Sequence, residues 1–344
     1  MNATLAKVLK FTGFLGLGVL ILWVIWDKMC EADRQSTFEA LRSAKYGWVA
    51  LSVFCGIFSH LSRAQRWRML IRPLGYSPRY FVTFLTVMIG YVANLAFPRL
   101  GEVLKCTFLS RYEKIPADKL IGTMIVERLI DAISLLLAVA LALITQYPAI
   151  RAYMNGTVAA PEAQCEPTSW PAWLGTALYV AIAAVVLFVG YKLCKMGWSR
   201  LQEKVRGIFY NVRDGLTSVR KVGNIWMFVG HSFFIWLMYF AMVQVCFPAL
   251  VETSSLGLGA GITVLVSGSL GILVSPGGIG AYQYIVQATL SIYGVASAAG
   301  LALGIIVWSA QTIMIIVLGL LALLILPLFK PKEDAQQPSE LPHE

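Results

Sequence analysis

Apolar residues run together at about 11–26, 46–61, 80–97, 120–147, 172–193, 225–247, 256–275, 279–293 and 298–326, between short stretches rich in Lys, Arg, Trp and Tyr. Several of these eight to nine segments approach or exceed the roughly 20 residues that an α-helix needs to cross a hydrocarbon core about 30 Å thick. Basic and aromatic residues at their ends are the usual anchors of a membrane interface. The pattern predicts an all-α polytopic membrane protein, not a soluble enzyme. The first run, Phe11 to Trp26, follows Lys7 and Lys10 as a signal sequence would. Trp23, Trp26 and Asp27 stand where small residues would be needed for cleavage, so it reads as a retained anchor.

The loops orient the helices. Segment 62–79 carries Arg63, Arg66, Arg68, Arg72 and Arg79 and no acid. Segment 192–221 carries eight basic residues against two acids, and both read as cytoplasmic, with Arg63, Arg66 and Arg68 forming a basic surface there. Loop 148–171, with Arg151 as its one basic residue beside Glu162 and Glu166, reads as external. If 120–147 runs outward, 80–119 must cross an even number of times. Only 80–97 is apolar enough to cross, so a re-entrant hairpin turning at Phe97-Pro98-Arg99-Leu100-Gly101-Glu102 fits better. The same parity holds for 248–297, which breaks at Ser275-Pro276-Gly277-Gly278-Ile279-Gly280. The fold expected is about six transmembrane helices plus two oppositely oriented re-entrant hairpins, an inverted-repeat-like arrangement that points to a transport site near the midplane. The competing reading, in which Pro and Gly merely kink spanning helices, leaves 279–293 short for a span.

Residues 1–329 form one transmembrane domain in this reading. Within it, 198–222 repeats apolar residues at helical spacing between basic ones and is expected to lie on the inner leaflet as an amphipathic helix. Residues 330–344, rich in Pro, Gln and Glu, are expected to be a disordered cytoplasmic tail. Both termini are then cytoplasmic, in an inner or plasma membrane.

Composition agrees: 58% of the 344 residues are hydrophobic and 13% charged, with a mean hydropathy of +0.71. The net charge of +10 sits in loops beside apolar runs, where anionic lipid is the nearer partner, so nucleic acid is not expected to bind. The six cysteines make no CxxC pair. Cys30 and Cys165 could join on the outer face, but unpaired thiols are expected. The three histidines are far apart, so neither a metal site nor a cofactor is indicated.

Charges inside spans are informative because each costs a few kcal/mol unless partnered or hydrated. Glu127, Arg128 and Asp131 lie within 120–147. Arg128 and Asp131 can pair at i,i+3, whereas Glu127 and Asp131 at i,i+4 repel unless a cation or proton intervenes. The cluster is either an ion-pair network that fastens helices or a polar cavity for a charged headgroup. The first break adds Asn94, Arg99 and Glu102; Arg99 could meet a phosphate or pair with Glu102 or Asp131. The second break adds Ser275, Pro276, Gly277, Gly278, Gly280 and Gln283, neutral groups suited to hydrogen bonding and to setting backbone geometry. No catalytic motif such as GxSxG, HExxH or a P-loop is present, which argues against an enzyme.

Four motifs in order, Arg63 with Arg66-Trp67-Arg68-Met69-Leu70, Asn94 with Pro98-Arg99-Leu100-Gly101-Glu102, Glu127-Arg128 with Asp131, and Pro276-Gly277-Gly278-Ile279-Gly280, resemble the lysylphosphatidylglycerol synthase transmembrane region, a flippase-like family. The resemblance covers roughly residues 10–326. It implies a lipid-translocating module, best known fused to a cytosolic aminoacyl-transferase domain. The chain ends at Glu344 without such a domain and looks like a stand-alone member. Many relatives place an acid where Gln283 stands, which weakens the case for a cationic aminoacyl-lipid and leaves anionic, zwitterionic or polyprenyl-linked lipids. The leading expectation is a lipid flippase or scramblase in which Arg99 and Arg128 bind phosphate, while Glu102, Glu127 and Asp131 balance charge. The alternatives are a scaffold that recruits a cell-envelope transferase and a membrane enzyme acting on lipid-linked substrates.

Overall fold

The computed structural model describes residues 16, 18, 20–27, 29–97, 100–157 and 223–332. The predicted span 172–193, the amphipathic helix 198–222, Pro98 and Arg99 lie outside the described residues.

A helical stretch ending at Asp27 is followed by α1 (Glu31–Ser43), α2 (Tyr46–Ile71), α3 (Tyr80–Ala96), α4 (Leu100–Glu113) and α5 (Ala117–Met154). After residue 222 come α6 (Ile225–Gln244), α7 (Leu258–Val274), α8 (Ala281–Ser291) and α9 (Ser297–Ile325). The all-helical, membrane-type architecture expected from the apolar pattern is present. Among the described residues, three helical stretches, Ala117–Met154, Ile225–Ala249 and Ser297–Leu328, are long and apolar enough to cross a membrane.

Some boundaries move. The sequence pattern ends the second helix near 61, but α2 continues to Ile71 because its arginines find carboxylates in the protein instead of solvent. α5 continues through Pro148 to Met154, into the loop expected at 148–171. α1 was not expected, because its residues are mostly polar; Glu31 and Asp33 in the first turn and Arg42 in the last suit the helix dipole. Cys30, just before it, is disulfide-bonded, contrary to the expectation of unpaired thiols. Its other half lies outside the described residues. Of the tail expected to be disordered, 330–344, only 330–332 are described: the Lys332 ammonium lies 2.7 Å from Glu113 and its backbone N–H donates to Tyr112 O; the rest lies outside the described residues.

α3 and α4 fold back on each other as a helical hairpin. Gly90 and Gly101 meet at the crossing, where a Cβ on Gly101 would collide with Gly90 O. The hairpin's two ends converge: Arg79, the N-cap of α3, lies 2.7 Å from Glu113 at the end of α4 and also donates to Lys330 O. The start of α5 is nearby, with Lys119 over the Tyr76 ring. This defines a basic end of the bundle.

α7 and α8 form a second hairpin whose base is at the opposite end. Tyr293, just past α8, hydrogen-bonds Thr263 of α7 and Gln146 of α5, and Gln146 is 29 residues, or about 43 Å, along α5 from Ala117. Its tip turns through Gly277, Gly278 and Gly280, all with positive φ, where a side chain would be strained. The tips of the two hairpins meet at Leu95 and Gly277, where a Cβ on Gly277 would be 3.4 Å from the Leu95 side chain. Gly18 of the first helix packs against Ile279 and Gly280 of the second tip.

Two apolar clusters hold the frame. One, at the outer end of the hairpin α7–α8, joins Val49, Phe247, Tyr282, Val286 and Leu303; the other, toward the basic end, joins Trp67, Met88, Leu109, Leu120 and Ala322.

Candidate functional site

The site begins with two spacings. Arg63 and Arg66 lie one turn apart on α2, and Glu127 and Asp131 lie one turn apart on α5, so antiparallel packing brings two cations against two carboxylates. Arg63 Nη1 bridges both acids, 3.0 Å from Glu127 Oε1 and 2.6 Å from Asp131 Oδ2. Arg66 Nη2 is 2.6 Å from Asp131 Oδ1 and 3.7 Å from Glu127. The repulsion expected within the Glu127/Asp131 pair is thus relieved by arginine. The first hairpin supplies a third cation, since Lys105 Nζ lies 2.8 Å from Glu127 Oε2 and 4.4 Å from the centre of the Trp67 ring. α6 completes the shell: Arg63 donates to Tyr239 Oη at 2.8 Å and Arg66 to Ser232 Oγ at 3.3 Å.

The cluster is dry. Glu127 and Arg66 are 0% exposed and Arg63 and Lys105 are 4% exposed. Arg63 and Arg66 are therefore not part of a cytoplasmic basic surface. A loop-charge count took them as solvated because the acids that receive them lie 60 or more residues away. Arg68 alone of the three is partly accessible.

Arg128 turns away from the cluster. It does not pair with Asp131 as its i,i+3 spacing suggests; its Nε lies 2.9 Å from Glu102 Oε1, with side chains 41% and 26% exposed. The two arginines of α2 already occupy Asp131. The N–H of Arg128 is not aligned for a hydrogen bond to Glu102, so this contact is the loosest of the set. A cavity with room for about one water, lined by Arg63, Tyr91, Asn94, Glu102, Lys105 and Arg128, lies between them.

The other expected residues hold the breaks together. Asn94 Oδ1 accepts the Gly101 N–H at 2.9 Å across the first tip. Ser275 Oγ donates to Ile279 O at 2.8 Å across the second, and Gly277 O accepts from Trp308 Nε1 of α9 at 2.7 Å. Gln283 is 2% exposed and packs under α9 at Gly304. The structure thus gathers Glu102, Glu127, Arg128 and Asp131 with Asn94. The residues of the second break reach them through the contact of the two tips.

Sequence reasoning missed Lys105, Ser232 and Tyr239, and named Trp67 only within the family motif. Lys105 lies in 99–119, the stretch too polar to cross. Its signal was a lone lysine among Val103, Leu104 and Cys106 on a short helix opposite a buried acid. Among the described residues, four cations, Arg63, Arg66, Lys105 and Arg128, face three carboxylates, Glu102, Glu127 and Asp131. Arg128 is matched by Glu102, so the surplus positive charge lies in the buried cluster, where Arg63, Arg66 and Lys105 share Glu127 and Asp131; Arg128 is the most exposed of the four.

A bundle of apolar helices with two interrupted pairs and an ionic cluster buried among them is a multi-pass membrane protein. Residues 11–319 match the lysylphosphatidylglycerol synthase TM region, and the chain belongs to that family. It is also similar to the UPF0104 membrane protein MJ1595 of Methanocaldococcus jannaschii, at 26% identity over 134 residues. That alignment covers 38% of this chain and 38% of the relative. No solved structure matches the chain.

Proposed function

We propose that the chain moves a lipid headgroup between leaflets, as a flippase- or scramblase-type translocator of a phospholipid or lipid-linked carrier whose acyl chains stay in the bilayer. The observation that carries this reading is the meeting of two hairpins, based at opposite ends, at Leu95 and Gly277, beside an ionic cluster with surplus positive charge. Hydrocarbon tolerates broken backbone and charge at depth only where protein or a polar pathway surrounds them. Interrupted helices in matching positions of two opposed halves are the arrangement that transport sites use.

In this reading both hairpins are re-entrant and about six helices cross. The basic end faces the cytoplasm of an inner or plasma membrane, with both termini on that side. Arg63, Arg66 and Lys105 with Glu127 and Asp131 are a fixed electrostatic floor. Arg128 is the phosphate reader, and Glu102 is the counter-ion that an arriving phosphate displaces. The site is ionic rather than nucleophilic, so the chain is read as a carrier and not an enzyme. Its partners are membrane lipids.

The test is reconstitution of the purified chain in liposomes with fluorescent lipids of several headgroups. Transbilayer movement above the protein-free rate is expected. Arg128→Gln should slow it about tenfold, the loss of one charge-assisted contact of roughly 1.4 kcal/mol. No excess movement across the headgroup panel would overturn the reading. A stoichiometric transferase co-purifying with such an inactive chain would favour a scaffold instead.

A further inference from the structure

A second site lies on the far side of α2 from the ionic cluster. Between α2, α6 and the start of α3 there is a groove of about 750 Å³, within the range of pockets that hold small molecules. Its walls are Phe58, Leu61, Met227 and Phe234, and at its basic end stand Gln65, Arg68 and Tyr80. Phe58 is 53% exposed and Met227 48%, so the walls offer unpartnered apolar surface.

The dimensions and the charge name the occupant. From Phe58 to Arg68 is ten residues, or about 15 Å along a helix, which is one leaflet of a core about 30 Å thick. Arg68 stands at the interfacial end of that path, since its Nε donates to Pro78 O at 2.8 Å, beside Arg79 of the basic end. Its other described partners are Gln65 Oε1 at 2.7 Å and the Tyr80 ring at 5.6 Å. All three are uncharged. Unlike Arg63, Arg66 and Arg128, this guanidinium has no carboxylate within ion-pair distance among the described residues; it feels the Glu113 carboxylate only from further off, and Arg72, one turn further on, adds positive charge.

We infer that this groove is a loading site for an anionic phospholipid of the leaflet at the basic end, with its phosphate on Arg68 and one acyl chain along Phe58, Leu61 and Phe234. A planar guanidinium whose remaining N–H groups face outward suits a phosphate diester. The groove and the ionic cluster share α2, and the hydrogen bond between Ser62 Oγ and His231 Nδ1 at 2.8 Å forms part of the seam between them. A lipid seated here is held one helix away from Arg128. The inference rests on the translocator reading for its role, though not for binding itself.

The test uses the full chain in nanodiscs containing photoactivatable phosphatidylglycerol or phosphatidylcholine, with cross-linked peptides mapped by mass spectrometry. Phosphatidylglycerol should label 58–68 and 227–234 in preference to phosphatidylcholine. Arg68→Gln should lower phosphatidylglycerol labelling about tenfold and phosphatidylcholine labelling by less, because the choline cation already offsets the phosphate that Arg68 would meet. Gly230→Trp should block both, because a Cβ at Gly230 meets no atom within 4 Å and the side chain can enter the groove without displacing backbone. Labelling that falls elsewhere, or that neither variant changes, would overturn the site even if liposome transport persists. Equal labelling by both lipids, unaffected by Arg68→Gln, would overturn the assignment of the phosphate to Arg68. The expected labelling in a chain that moves no lipid would uphold the site and refute the translocator reading.

Discussion

Lys105 Nζ lies 2.8 Å from Glu127 Oε2, with both side chains 5% exposed or less. This pair fastens the first hairpin to α5 in a place where neither charge can be solvated. Removing one partner of such a pair leaves the other buried and uncompensated, at a cost of about 3–5 kcal/mol.

Glu127→Gln should therefore be the most destabilising single substitution in the cluster, because Arg63, Arg66 and Lys105 all lose a shared counter-ion. Lys105→Met should cost less, since Glu127 keeps two arginines. The double variant should be less destabilised than the sum of the two, by about 1–3 kcal/mol of coupling. Unfolding in detergent followed by tryptophan fluorescence measures all three. An additive double variant would mean that the pair is not coupled.

A steric prediction concerns the hairpin crossing. Gly101→Ala places a methyl group into Gly90 O, so α3 and α4 must separate and the Asn94 staple must break. The expected loss is about 2 kcal/mol or more, as for other overpacked contacts. Gly122→Ala is the control: a Cβ there meets nothing within 4 Å, and alanine is the better helix former. Comparable melting temperatures for the two variants would show that the crossing is looser than described.

What was legible in the sequence follows from the range of each interaction. The positions of the two helix breaks were legible because Pro98, Gly101, Pro276 and Gly277 interrupt apolar runs locally. The pairing within the ionic cluster was not, because Arg63 and Glu127 are 64 residues apart and helical spacing speaks only to neighbours on one helix. Spacing offered Arg128 to Asp131; packing gave Asp131 to α2 and sent Arg128 to Glu102. The same blindness put Arg63 and Arg66 on a surface and left Lys105 unremarked. α1 escaped notice because its ordering comes from packing on α9, with Thr37 fully buried, rather than from its own apolar content.

The opposed entry proposed for the hairpins can be tested by labelling single cysteines in a background with all six native cysteines replaced, among them Cys55, Cys106 and Cys246, which are free thiols among the described residues. Ser77→Cys and Lys119→Cys, both exposed at the basic end, should react with a membrane-impermeant maleimide from one side. Ser254→Cys, exposed at the base of the second hairpin, should react from the other. Labelling of Ser77→Cys and Lys119→Cys from opposite sides would mean that α3 and α4 cross an odd number of times, against the Arg79–Glu113 contact that holds the two ends of the hairpin together.

Trp308 controls the second tip. Its Nε1 donates at 2.7 Å to Gly277 O, a carbonyl that the positive φ of Gly277 and Gly278 turns out of the helical ladder. Trp308→Phe keeps most of the apolar contact but leaves that carbonyl without its donor, at a cost of about 1–3 kcal/mol. The loss falls on a turn held otherwise by the short Ser275 to Ile279 staple, so it should appear as local opening rather than global unfolding. Hydrogen exchange should accelerate about tenfold or more in 275–280, with little change in α9. If Leu95 and Gly277 meet at a gate, the variant should also raise the rate of lipid movement in liposomes. A faster-exchanging tip with slower transport would instead show that Trp308 positions the tip for the substrate and does not merely hold it closed.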